Sequence, residues 1–153
     1  MNTFEIQTEL LRRLQSTGRE GITETIAYLK SSNFFSAGCH RHHKYAGGLA
    51  RHSLEACNYA LANRGDLSED SIIITTLLHD ICTAYSRKAR HITRHGLRSV
   101  RILKEICHLK LTKEESQAIL LHMHEDAAAM RTNPLAHLVC QADKASAKGL
   151  VRL

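Results

Sequence analysis

The spacing of apolar residues predicts helices along almost the whole chain. In residues 1–15 and again in residues 22–29, apolar side chains recur every three or four positions, which places them on one face of a helix. The first set is Phe4, Ile6, Leu10, Leu11 and Leu14, and the second is Ile22, Ile26 and Leu29. Residues 34–48 are irregular, rich in glycine and histidine, and too polar for a strand. The pattern therefore favours an all-α fold.

Capping residues divide the rest of the chain into five further helices. Ser68 can cap one that runs to Leu78, and Thr112 with Glu115 forms a capping box for another. Asn133 precedes Pro134, a proline at a first helical position, and starts the last helix. Gly149 closes this last helix. Helices are also predicted over residues 49–63, with Gly65 as a C-terminal cap, and over residues 95–107. The prediction is one helical domain of about seven helices over residues 1–153.

The helix that starts after Ser68 is apolar almost all round and ends in a histidine and an aspartate. Residues 72–78 contain only two threonines among apolar side chains, so this helix should lie at the centre of the fold. His79 and Asp80 follow directly. A buried carboxylate beside an imidazole is costly unless charge or hydrogen bonds compensate it, and a divalent cation provides both. Neighbours on a helix lie about 100° apart, so His79 and Asp80 can share an ion only where the helix ends.

The composition indicates which kinds of partner and which cell compartment to expect. The 153 residues carry 21 Lys and Arg against 15 Asp and Glu, a net charge of +6, and the isoelectric point is near 9.2. A basic surface suits anionic partners such as nucleotides or nucleic acid. Five widely spaced cysteines with no Cys-x-x-Cys pair indicate reduced thiols and a cytoplasmic protein. No apolar run approaches the roughly 18 residues that span a membrane, and the N-terminus does not read as a signal peptide.

Motifs on both sides of the His-Asp doublet resemble those of the HD-domain superfamily. Residues 42–55 read HHKYAGGLARHSLE, similar to the H-x-x-Y-x-G-G-L and H-S-L entry of bacterial HD hydrolases. Downstream segments also match: HGLRS at 95–99, LTKEESQAILLHM at 111–123, and LVCQAD at 138–143. The resemblance covers about residues 19–148 and implies an all-α domain, a compact helical bundle, with metal-dependent phosphohydrolase activity.

The resemblance implies a metal site with His79 and Asp80 at its catalytic centre. The implied ligands of one ion are His52, His79, Asp80 and Asp143. Such imidazole and carboxylate ligands without thiolate suit a catalytic divalent ion, and we expect Mn, Fe, Mg, Ni, Co or Zn. His95 and His122 match positions that hold a second ion in two-metal members of the family, where the doublet aspartate bridges. Taken alone, these two histidines could instead be capping or core residues, so one ion and two ions both stay open.

Phosphate-binding groups are harder to place. Many family members carry a lysine three positions after the doublet aspartate, where it can meet a phosphate, but this chain has Thr83 there. The basic side chains downstream could replace it through charge-assisted contacts, or could lie on a solvated loop. The predicted phosphate or substrate contacts are Arg87, Lys88, Arg90, Lys144 and His43.

Three functions remain open from the sequence. The first is a metal-dependent phosphohydrolase that acts on a nucleotide or another small phosphoester. The second is a catalytically weak HD-fold module that binds a nucleotide or regulates, which the missing lysine favours. The third is a nucleic-acid-binding protein, suggested by the charge but disfavoured by an aromatic content of only 5%. The substrate, the metal and the oligomeric state are not predicted.

Overall fold

The structure, a computed structural model, describes residues 1–84 and 94–153, and all regular elements in that part are helices. The α-helices are α1 (Thr3–Ser16), α2 (Ile22–Ser31), α3 (Gly48–Ala62), α4 (Glu69–Leu78), α5 (His95–Arg101), α6 (Lys113–Leu121) and α7 (Pro134–Ala147). Short 3-10 helices follow α4 (Ile81–Ala84) and precede α7 (Ala128–Arg131), and a π-helical turn (Ile102–Ile106) follows α5. The described residues form no β-strand, so the all-α prediction of about seven helices is confirmed.

The predicted caps hold at three helices. Ser68 accepts from the backbone N–H of Ser71 at the start of α4. Thr112 and Glu115 form the reciprocal capping box of α6, and Asn133 accepts from Ala136 at the start of α7. These side chains bind N–H groups that have no partner within the helix, which is why the sequence could place the helix starts.

Two details of the helix ends differ from the predictions. Helix α3 ends at Ala62, and the N–H of Asn63 closes it by donating to the Tyr59 and Ala60 carbonyls. Gly65, with φ of +55°, lies in the following turn and does not cap α3. The helix predicted over residues 95–107 keeps α geometry only to Arg101 and then widens into the π-helical turn.

Helix α4 occupies the centre of the fold. Its residues from Ile72 to Leu78 are all buried, as the sequence predicts. One side of the helix packs in the main core with α1 and α3, while Ile72 belongs to a second apolar cluster with residues of α3, α6 and α7. Because α4 contacts helices on several sides, it needs apolar side chains all round. Its C-terminus, which carries the His-Asp doublet, therefore ends inside the protein.

The cysteines and the hydropathy of the helices agree with the sequence. All five cysteines are buried and none of them forms a disulfide bond, so they pack as small apolar residues. None of the described helices combines the length and the apolar composition needed to cross a membrane.

Candidate metal centre

Five elements bring the six predicted ligands into one cluster. His79 directly follows α4, and Asp80 lies in the turn between α4 and the 3-10 helix at Ile81–Ala84. The doublet thus lies where the helix ends, which is where two neighbouring residues can share one ion. The remaining four are His52 on α3, His95 at the first position of α5, His122 directly after α6, and Asp143 on α7.

The first group of ligand atoms surrounds Nε2 of His52 and Nε2 of His79. These two nitrogens lie 3.3 Å apart. Oδ1 of Asp143 is 3.0 Å from the His52 nitrogen and 3.6 Å from the His79 nitrogen. Oδ2 of Asp80 lies 3.7 Å and 3.5 Å from the same two atoms. Four atoms of the types that bind divalent cations therefore converge on one point.

The second group uses the other oxygen of the same aspartate. Oδ1 of Asp80 lies 3.3 Å from Nε2 of His95 and 3.2 Å from Nε2 of His122. These three residues also form a set whose ligand atoms are close enough to hold one ion. Asp80 is the residue common to both groups, and each of its oxygens faces one of them. This is the geometry of a carboxylate that could bridge two cations.

Backbone carbonyls fix the orientation of two of the rings. Nδ1 of His79 lies 2.7 Å from the Thr76 carbonyl, and Nδ1 of His122 lies 2.6 Å from the Ile119 carbonyl. A carbonyl oxygen can only accept, so Nδ1 donates in both rings. In the neutral ring, Nε2 then carries the lone pair and faces the cluster. Metal-binding histidines are commonly held by such a bond from the other ring nitrogen.

A cation fits the cluster because the protein leaves polar atoms unpaired there. Oδ1 of Asp80 and Nε2 of His122 are fully buried, and neither makes a hydrogen bond within the described part of the chain. His52, His79 and His122 are at most 1% exposed, and the two carboxylates at most 9%. Buried polar atoms without a partner are costly, and a divalent cation would satisfy them. The donor atoms present thus fit a metal ion.

The charges inside the cluster depend strongly on one another. Burial lowers the pKa of His79, but the Asp80 and Asp143 carboxylates outweigh burial and raise this pKa to about 9. Burial raises the pKa of Asp80, yet His79, His122 and His95 hold it well below its usual range. Asp143 behaves in the same way through His52 and His79. Without a metal, His79 is therefore protonated at neutral pH, and a bound cation would take the place of that proton.

Of the predicted phosphate-binding residues, the structure describes Lys144 and His43. Arg87, Lys88 and Arg90 lie outside the described residues. Lys144 forms an ion pair with Glu125. His43 donates through Nε2 to Oε2 of Glu55 at 2.9 Å, and its ring centre lies 5.5 Å from that of His52. The substrate contacts of these residues stay predictions.

Two residues near the cluster, Glu55 and Ser146, were not found from the sequence. Glu55 and Ser146 are buried beside His52, and the ring centre of His42 lies 4.5 Å from that of His52. His42, His43 and His52 also form a third set of closely spaced ligand atoms. A signal for Glu55 and Ser146 was present, since each lies three positions after a predicted ligand on a helix, at His52 and Asp143. Burial of those faces could not be read from the sequence.

Comparison with known proteins gives one match, and it agrees with this geometry. The HD domain family matches residues 49–148, which is more than half of the chain and contains all six clustered residues. The chain belongs to the HD domain family. This family is one of metal-dependent phosphohydrolases whose members bind divalent metals. No curated protein and no solved structure gives a significant match.

Proposed function

We propose that the protein is a metal-dependent phosphohydrolase that acts on a nucleotide or another small phosphoester. The observation that carries the proposal is the sharing of Asp80 between two groups of ligand atoms, one with His52, His79 and Asp143 and one with His95 and His122. A divalent ion bound there would lower the pKa of a water molecule and polarise a phosphoryl oxygen.

The residues of the chain supply the positions that this chemistry needs. The six side chains lie on or directly after five helices that pack against one another, which would fix their relative positions before any ligand binds. The cluster is almost closed, and its more exposed members are Asp143, with 12% of its side chain exposed, and His95, with 15%. A phosphoester would therefore approach from the side of these two residues. The low exposure also keeps bulk water away from the reacting groups.

A binding or regulatory role without turnover is the second candidate. At the position where many family members have a lysine, Thr83 is buried and its hydroxyl donates to the Asp80 carbonyl at 2.8 Å. This side chain supports the turn after the doublet and offers no positive charge to a phosphate. The observation favours weaker binding of the reacting phosphoryl group.

One experiment separates the two candidates. Purified protein loaded with Mn is given a panel of nucleotides and bis-p-nitrophenyl phosphate, and both binding and phosphate or nitrophenol release are measured. The proposed function predicts release that stops when a chelator removes the metal. Nucleotide binding without any release would instead identify the binding or regulatory module.

A further inference from the structure

Glu55 and Ser146 form a hydrogen-bonded chain behind His52, on the side of the ring that faces away from the other ligands. On α3, Glu55 lies one turn after His52, and on α7, Ser146 lies one turn after Asp143. The Ser146 hydroxyl is 2.8 Å from Oε2 of Glu55 and 2.9 Å from Nδ1 of His52. His52 and Ser146 are fully buried, and Glu55 is only 3% exposed. Solvent therefore does not compete for these bonds.

The chemistry of the three groups sets the direction of the chain. A carboxylate only accepts, so the Ser146 hydroxyl donates its one hydrogen to Glu55. The hydroxyl oxygen is then an acceptor for His52, whose Nδ1 must donate to it. In the neutral ring this leaves the lone pair on Nε2, the atom that lies 3.0 Å from Asp143 and 3.3 Å from His79. This direction of hydrogen-bond donation, from His52 through Ser146 to Glu55, requires a group at position 55 that only accepts.

His43 strengthens the position of that acceptor. Its Nε2 lies 2.9 Å from the same Oε2 atom of Glu55. His43 has a φ of +43°, and its carbonyl lies so close to α3 that a Cβ atom on Gly48 would meet it at 2.0 Å. The loop that carries His43 is thus packed tightly against the start of α3. Glu55 is held from two sides and cannot easily turn away from Ser146.

We propose that Glu55 is a positioning residue of the metal centre, which acts through the Ser146 hydroxyl to hold His52 with Nε2 free to bind a divalent cation. His79 and His122 receive the same support from the backbone carbonyls of Thr76 and Ile119. Because these are backbone groups, changing a neighbouring side chain does not remove them. His52 alone among these three relies on side chains. The inference rests on the proposed function only in requiring that the cluster binds a divalent metal.

The chain offers a matched control at Glu115. This carboxylate is also buried, and it also accepts from a serine hydroxyl, that of Ser71 at 2.8 Å. Its other partners are Arg19 and the backbone N–H of Thr112, and it lies at the start of α6, at the opposite end from His122. Glu115→Gln and Ser71→Ala therefore remove the same kinds of group as Glu55→Gln and Ser146→Ala, but away from the ligand atoms.

The experiment measures metal binding by the full chain and its four single variants. Zn affinity is obtained by competition with a chromogenic chelator, and the visible absorption of bound Co reports the ligand geometry. A glutamine at position 55 can donate to Ser146, which lets the hydroxyl donate to Nδ1 of His52 and moves the ring hydrogen to Nε2. We expect Glu55→Gln and Ser146→Ala to weaken Zn binding by about 10- to 100-fold and to shift the Co spectrum. Both control variants should leave affinity and spectrum unchanged, even where they lower the melting temperature.

Three results would overturn the inference, and they differ from one another. If the wild-type chain binds neither Zn nor Co, the proposed function fails together with the positioning role. If the wild type binds metal and both site variants bind it within about twofold with an unchanged spectrum, only the positioning role fails. If the control variants weaken binding as much as the site variants, the effect is one of general stability. Ser146→Ala removes a single hydroxyl, so it carries the test if Glu55→Gln does not fold.

Discussion

Oδ1 of Asp80 lies 3.2 Å from Nε2 of His122, and both atoms are buried without a hydrogen bond to any of residues 1–84 and 94–153. Nδ1 of His122 already donates to the Ile119 carbonyl, so Nε2 is the ring nitrogen left to face this carboxylate oxygen. A divalent cation bound between or beside the two buried atoms would give both of them a partner. Since His95 faces the same oxygen, this contact is the main support for the proposed second ion.

Replacing the shared carboxylate should remove metal from both groups. Asp80 is the residue that belongs to both sets of ligand atoms. Asp80→Asn keeps the size of the side chain but removes its negative charge, so we expect little metal after purification by elemental analysis. Full metal content in this variant would contradict the assignment of Asp80.

Asp143→Asn is the matched comparison for that variant. Asp143 belongs only to the group with His52 and His79. Its replacement should lower the metal content by about one ion and leave the group with His95 and His122 able to bind. Equal losses in the two variants would show that the two groups do not bind ions separately.

His95→Ala and His122→Ala test whether there are one or two ions. Both histidines face Oδ1 of Asp80, so each substitution should halve the metal content of a two-ion centre. The lost interaction acts mainly on the reacting phosphoryl group, so kcat should fall far more than KM rises. His124→Ala is the control, because His124 is exposed and lies only two positions from His122.

Other outcomes at these two histidines have distinct meanings. An unchanged metal content with a raised KM would make them phosphate-binding residues. An unchanged metal content and unchanged kinetics with a lower melting temperature would make them structural. A stoichiometry of one ion in wild type and variants alike would exclude the two-ion centre.

Gly96 allows α5 to approach α6 closely enough to place His95 beside His122. A Cβ atom at Gly96 would lie 2.4 Å from the Leu120 carbonyl oxygen and 2.6 Å from that of Ile119. Gly96→Ala should therefore push the helices apart, at a cost of about 1–3 kcal/mol in the free energy of unfolding. Urea unfolding and elemental analysis should show lower stability together with lost metal at the second group.

Gly18→Ala provides the control for that substitution. Gly18 has a φ of +57°, and no heavy atom of the residues that the structure describes lies within 4 Å of a Cβ placed there. Its replacement should cost about 1 kcal/mol through backbone strain and leave the metal content unchanged. A Gly96→Ala variant with full metal content would contradict the role of this close approach.

Glu115 should make the stability of the fold depend on pH in acid. Burial raises the pKa of Glu115, but Arg19, the Thr112 N–H and Ser71 outweigh burial and lower it. A carboxyl group whose pKa is lowered on folding stabilises the protein above its unfolded pKa of about 4.3, and this contribution is lost as the pH falls through the folded pKa. Glu115→Gln should cost about 2–3 kcal/mol at pH 7 and progressively less below pH 4.

The exposed pair of Glu69 with Arg64 serves as the reference for the pH measurement. Their side chains are 60% and 42% exposed, so Glu69→Gln should change stability by less than about 0.5 kcal/mol at any pH. Chemical unfolding at several pH values measures both variants. A difference between Glu115→Gln and wild type that stays constant down to acid pH would contradict the lowered pKa.

Much of the fold follows from the sequence because its signals are local. Helix starts are marked by caps such as Ser68 and Thr112, and the apolar run from Ile72 to Leu78, interrupted only by two threonines, identifies the central helix. Exposure was harder to predict. Phe4 fits the apolar pattern of α1 but is 77% exposed, because burial depends on which elements pack there. The π-helical turn after α5 is likewise not marked by any residue type that sequence rules recognise.

The candidate site likewise has residues that the sequence predicts and contacts that it does not predict. The resemblance to HD domains identified all six clustered residues, because each of them lies within a short motif that can be recognised in the sequence. The support for His52 could not be predicted, because Ser146 and Glu55 meet only through the packing of α3 on α7. Similarly, Lys144 next to Asp143 looks available to a phosphate in the sequence, whereas the fold pairs it with Glu125.

The most direct test of the account is metal-dependent turnover. Phosphate release from a nucleotide panel, and nitrophenol release from bis-p-nitrophenyl phosphate, are measured for the Mn-loaded wild type and for Asp80→Asn. The account predicts turnover by the wild type of at least one phosphoester, its loss on chelation, its return when Mn is added back, and none in the variant. A wild-type protein that holds its metal and hydrolyses none of these compounds, or an Asp80→Asn variant as active as wild type, would contradict it.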